Sequence, residues 1–159
     1  MKLYLVAVGR VRGALADAVE EYERRLRRYY SFEVIEVKEH PSHQAATADE
    51  VRIEEGKRLQ ARIPAGVEIV ALHRQGRGYS SEELSRYLSD LALHSSPGAA
   101  FLIGGAFGLS AEILSRASVL LSLSYFTMPH EMARLVLTEQ LYRAGTISRN
   151  EPYHKGLQR

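Results

Sequence analysis

The chain has 159 residues, 21 Lys and Arg against 19 Asp and Glu, a net charge of +2 and no cysteine. That length fits a single domain spanning 1–159 with a sizeable core. The lack of cysteine excludes disulfides and thiolate metal sites and fits a cytoplasmic protein, and no apolar run is long enough to span a membrane.

Leu3–Val8 is apolar throughout, as in a central strand covered on both faces. Arg10 and Arg12 follow without a cleavage site, so this is not read as a signal peptide. Ala14–Tyr29 carries Leu15, Val19, Tyr22 and Leu26 at helical spacing. Its other side holds Glu20, Glu21, Glu23, Arg24, Arg25, Arg27 and Arg28, acids first and bases last, which suits the helix dipole. The arginines read as a solvated helix end, with a phosphate-contacting patch as the alternative. Phe32–Val37 is a second strand. Glu39–Thr47 is a polar loop whose His40 and His43 have no third ligand nearby, so no metal site is expected. Asp49–Arg62 is a helix, ended by Pro64-Ala65-Gly66.

Val67–Leu72 predicts a third strand and His73–Ser80 a loop rich in Gly and Arg. Ser80 and Glu83 form a capping box for a helix to about Leu93, and Ser95–Gly98 turns the chain. Ala99–Ile103 is a fourth strand, followed by the loop Gly104–Gly108. Ser110 can cap a short helix over Ala111–Ala117, and Val119–Leu123 is a fifth strand. Ser122–Pro129 is a Ser/Thr/Pro loop, and His130 to about Ala144 a nearly all-apolar helix. Met132, Leu135, Val136, Leu137 and Leu141 point in several directions, which suggests burial against a second subunit. A short tail carries Arg149, Tyr153 and His154; from Asn150 on it is too short and polar to belong to the core, so removing residues from Glu151 onward should cost little stability. Regular alternation of strand and helix implies an α/β fold, a parallel sheet with helices on both faces. Ligands in such sheets lie beyond the carboxyl ends of the strands, here the loops after Leu72, Ile103 and Leu123.

The glycine loop invites a dinucleotide reading and fails it. Its spacing is G-G-x-x-G, it follows the fourth strand, and no acid stands about twenty residues later. Two adjacent glycines still indicate a sharp turn or a close approach of a ligand to the backbone.

VAVG near the start, FLIGGAFGLS, LSLSYFTMPH, LTEQLYRA and the closing PYHKG occur in this order. Together, from Met1 to about Lys155, they resemble the RlmH family of SPOUT-class methyltransferases, which modify a pseudouridine of 23S ribosomal RNA at N3. The resemblance implies a C-terminal trefoil knot, a homodimer, S-adenosylmethionine as cofactor and the ribosome as partner. It places the cofactor against Leu72, Gly104, Leu123, Ser124, Tyr125, Phe126, Thr127 and Met128. A slot of Leu, Phe and Met with backbone amides suits adenine, and glycines let that backbone come close. The chain departs from relatives at Ala106-Phe107, where others carry Pro-Glu, which bears on the loop's rim. It departs again at Gly145, where others have a large apolar residue, which suggests a looser helix end.

Methyl transfer to a ring nitrogen is an in-line displacement that depends on alignment and needs no metal. The proton on N3 must leave, so a base or a cation beside the deprotonated ring would help. His154, Tyr153 and Arg143 are the candidates: His154 for the proton, Tyr153 to stack or hydrogen-bond, and Arg143 for a phosphate or a uracil oxygen. A structural role stays open for Arg143, and His130 reads as a residue that caps or packs the helix start. Alternative functions are a SPOUT enzyme acting on tRNA or another base, and a non-catalytic ribosome-binding protein; a nicotinamide-dependent dehydrogenase is the weakest.

Overall fold

The computed structural model describes residues 1–43, 47–94 and 96–157. Part of the polar loop at 44–46, Ser95 and Arg159 lie outside the described residues. Five strands form one parallel sheet: β1 (Lys2–Val8), β2 (Ser31–Val37), β3 (Glu68–Gly78), β4 (Gly98–Ile103) and β5 (Val119–Ser122), in the order β2-β1-β4-β3-β5. Between and after them come α1 (Ala16–Leu26), α2 (Ala48–Gln60), α3 (Ser81–Leu93), α4 (Ala111–Arg116) and α5 (His130–Ser148). A 3-10 turn, Gly13–Leu15, leads into α1, and a second, Pro152–Leu157, forms the tail.

The pleat explains why β1 and β4 show no polar alternation. On β1, Leu3, Leu5 and Ala7 face one layer and Val6 and Val8 the other; on β4, Ala99, Phe101 and Ile103 oppose Ala100 and Leu102. Both faces are covered. Leu26 of α1, Leu84 and Leu88 of α3, and Leu137, Leu141 and Ala144 of α5 fill one layer. Leu59 of α2 and Ile113 of α4 fill the other. Local chemistry sets the helix starts. Ser80 and Glu83 make the reciprocal capping box, Ser110 Oγ accepts from Ile113 N, and Thr47 with Glu50 makes a second box that the sequence reading did not name.

The structure corrects four expectations. The 73–80 segment is not wholly loop: β3 bulges after Leu72 and pairs again with β5 through Arg77 and Gly78, an exposed extension whose Gly and Arg content hides it. α5 runs past Ala144 to Ser148. Gly145 does not loosen it; a Cβ there would stand 2.7 Å from the Tyr29 ring, so the missing side chain lets α1's end pack on α5. Leu137, Leu141 and Ala144 of α5 are fully buried between α1 and α3, whereas Leu135 and Val136 are half-buried and Met132 is exposed, so part of its apolar surface is not covered within its own chain. Glu23, read on the solvated side of α1, is buried and paired with buried Arg134 of α5, Nε to Oε1 at 2.9 Å.

Candidate active site

At the carboxyl edge of β3, β4 and β5 lies a cavity of about 360 Å³. Leu72, Ile103, Leu109, Leu121 and Leu123 give it apolar walls, and Gly104–Gly108 forms one rim. A bridge between Gly105 and Gly108 shapes that rim, with Gly108 N donating to Gly105 O at 3.0 Å. A Cβ on Gly104 would lie 2.5 Å from the backbone carbon of Gly108 and 2.8 Å from Leu109 N, so this glycine lets the loop fold onto itself. The opposite rim is the 123–128 segment. Ser122 Oγ lies 3.1 Å from the carbonyl oxygens of both Arg74 and Ser124, and Phe126 N donates to Ser124 Oγ at 3.0 Å.

Seven of the eight residues expected to hold a cofactor line this one cavity: Leu72, Gly104, Leu123, Ser124, Phe126, Thr127 and Met128. Tyr125 does not, and its side chain is fully exposed. The structure adds His73, Arg74 and His130 to the lining. His130 opens α5, and its buried Nε2 has no hydrogen-bond partner. The described lining contains no carboxylate.

Arg143, Tyr153 and His154 are elsewhere. Tyr153 OH donates to Glu139 Oε1 at 3.0 Å, and Arg143 Nε donates to the same oxygen at 3.0 Å. The Arg143 guanidinium sits 4.8 Å from the Tyr153 ring centre, and Tyr142 packs edge-on against that ring at 4.6 Å. Burial, with hydrogen bonds to Tyr22 and Glu139, raises the Tyr153 pKa well above the ordinary tyrosine value, so the phenol keeps its proton at neutral pH. The hydrogen bond to Glu139 raises Arg143 further above its already high value. Glu139, which joins the two, was missed; its i,i+4 spacing from Arg143 was the available signal. His154 Nδ1 is buried without a partner.

The tail is therefore packed, contrary to the sequence expectation. Tyr29 OH donates to Glu151; desolvation, with this hydrogen bond second, pushes Tyr29 up to about 12, and the Arg149 guanidinium lies 4.7 Å from the Tyr29 ring. Its truncation would remove these part-buried contacts as well as any functional group.

The cavity lies beyond the carboxyl ends of β3, β4 and β5, where open α/β sheets bind their ligands. The profile described as "Predicted SPOUT methyltransferase" matches residues 1–154. The chain belongs to the SPOUT methyltransferase family. It is similar over nearly its whole length to proteins named ribosomal RNA large subunit methyltransferase H. The one from Syntrophotalea carbinolica is 46% identical over 155 residues, covering 97% of this chain and 99% of that protein. The one from Rubrobacter xylanophilus is 49% identical over 152 residues, covering 94% and 96%. A putative methyltransferase from Legionella pneumophila, solved in complex with SAM, aligns with a TM-score of 0.46 at 14% identity, covering 91% of this chain and 66% of that one.

Within this SPOUT chain, the cavity and the Arg143 cluster stand at opposite ends of α5. At about 1.5 Å rise per residue, His130 and Arg143 are roughly 20 Å apart along its axis. One chain alone does not bring the two groups onto a single reacting atom.

Proposed function

We propose that this chain methylates N3 of a pseudouridine in 23S ribosomal RNA, using S-adenosylmethionine, on assembled ribosomes in the cytoplasm. The observation that carries this reading is the full-length similarity to large subunit methyltransferase H proteins in a chain whose glycine loop borders a ligand-sized cavity. The cavity's residues suit the cofactor. Its volume lies within the ordinary range for small-molecule sites, its walls are apolar, and His130 Nε2, which makes no hydrogen bond and lies 3.9 Å from Glu131 Oε1, offers a polar contact. When bound, the sulfonium supplies an electrophilic methyl group. Leu72, Leu121 and Leu123 would exclude water and hold a flat base, and Ser124, Thr127 and Met128 of the opposite rim would border its edge.

The remaining work belongs to the acceptor. Arg143, held by Glu139, is proposed to stabilise negative charge as the uracil ring loses its N3 proton. Tyr153, a protonated phenol, orients the ring and is not the base. His154, with its buried open Nδ1, is proposed to take the proton. Because these groups lie far from the cavity in one chain, the reading includes a homodimer in which the tail of one copy completes the cavity of the other. The resemblance to the RlmH family also carries the trefoil knot.

Mass spectrometry of 23S RNA from cells with and without the protein tests the function: one methyl on one pseudouridine should disappear with the gene. A mixing experiment tests the dimer. Gly104→Val and His154→Ala should each be inactive alone, whereas their mixed dimers should recover roughly half of normal activity per dimer, because one of two sites is then intact. No recovery in verified mixed dimers would place both groups in one chain.

A further inference from the structure

The tip of the 123–128 segment holds Tyr125, fully exposed, and Phe126, 84% exposed. Across the cavity mouth stands Phe107, 42% exposed. The tip is fixed by the Ser122 and Ser124 hydroxyls, so the two rings are held in water by a braced turn. An aromatic side chain kept this way has no role in its own chain's core. The surrounding charge indicates what it meets. Arg74 lines the same mouth, Arg52 Nη1 donates to Phe107 O at 3.1 Å on the far rim while its Nη2 pairs with Asp49, and no carboxylate is among the described residues that line the cavity. Exposed aromatic faces next to cations are how proteins hold unpaired nucleotides: a ring stacks on a base while guanidinium groups take the phosphates.

We propose that Tyr125 is a stacking platform for an unpaired RNA base flanking the methylated nucleotide, with Arg74 at the cavity mouth taking the adjoining phosphate. The proposal rests on the reading of ribosomal RNA as substrate. It assigns the Tyr125 side chain to RNA recognition and leaves the cofactor wall to the neighbours that line the cavity. Stacking is tolerant of base identity, so Tyr125 contributes to affinity and orientation, and the target nucleotide is chosen by the pocket itself.

The test uses the full-length protein, Tyr125→Ala and Tyr125→Trp. Four quantities are measured: KM and kcat on ribosomes, affinity for a short single-stranded RNA by fluorescence anisotropy, affinity for S-adenosylhomocysteine by calorimetry, and sedimentation. Loss of one stacked base should raise KM and weaken RNA binding by ~5- to 100-fold. Tyr125→Trp should restore both, and cofactor-product affinity and sedimentation should not change. Unchanged KM and RNA affinity in Tyr125→Ala overturn the proposal. So does weakened S-adenosylhomocysteine binding, which returns the ring to the cofactor wall, or a shift toward monomer, which makes it a contact with a second copy. If the unmodified protein methylates no ribosomal RNA yet RNA binding still depends on Tyr125, the functional reading fails while the platform stands.

Discussion

Gly104→Ala is expected to abolish S-adenosylmethionine binding nearly as completely as Gly104→Val. If the glycine were present only to leave room for the ligand, a methyl group would be tolerated better than an isopropyl group. The geometry argues otherwise. The first added carbon meets the Gly108 carbon at 2.5 Å, the Gly108 oxygen at 2.7 Å and Leu109 N at 2.8 Å. All three are backbone atoms, which cannot swing aside as a side-chain tip would. The loop must open, and the Gly105–Gly108 bridge that shapes the rim opens with it. Overpacking of this kind costs about 1–3 kcal/mol. Because Gly104 follows directly on β4, fully buried along its length, the sheet should survive and the loss should fall on the loop. Calorimetric titration with S-adenosylhomocysteine should show affinity reduced by at least ~100-fold in both variants, with far-ultraviolet dichroism unchanged; that ratio corresponds to about 2.7 kcal/mol. An alanine variant that binds normally would mean that the loop relaxes at no cost and that the close approach has no functional meaning.

How much of this could be read from the sequence depends on the range of each interaction. The Ser80–Glu83 box and the Ser110 cap are local, so three residues of sequence announce them. The strands are equally legible because two-sided burial leaves β4, and β1 beyond Lys2, without charged positions. The eight cofactor residues came from the resemblance and not from periodicity, and only the folded chain separates Tyr125, facing solvent, from the seven that line a cavity. The loop after Leu72 is legible as a ligand edge, but not that β3 resumes there, because a β-bulge carries the strand through a composition that reads as loop. The Tyr153–Glu139 bond crosses a helix end and a turn, and nothing in the spacing marks it. The tail looked expendable because it is polar, yet its aromatic ring and carboxylate find partners on α1 and α5.

Glu23 and Arg134 are the extreme case, since no pattern links positions 111 apart. Arg134→Met is expected to be the most destabilising conservative change in α5. The guanidinium donates to Glu23 through Nε at 2.9 Å, reaches it through Nη2 at 2.8 Å, and lies 3.6 Å from Glu36 through Nη1. The side chains of Arg134 and Glu23 are 8% and 9% exposed, so methionine would leave the Glu23 carboxylate buried without its counter-charge. Removing one member of such a pair costs about 3–5 kcal/mol. Urea unfolding at fixed protomer concentration should show that loss. The double variant Glu23→Leu with Arg134→Met should regain most of it, because two apolar side chains satisfy each other where a lone carboxylate cannot. Glu36 is half-exposed and can turn to water, so it should not prevent the recovery. A single variant that loses less than about 1 kcal/mol would show that water reaches Glu23 and that the pair is effectively a surface contact. The consequence extends to function. Arg134 lies one turn beyond His130 on the same helix, so the pair that ties α5 to α1 also sets where the cavity's His130 stands. The single variant should therefore lose S-adenosylhomocysteine affinity together with stability, and the double variant should recover both.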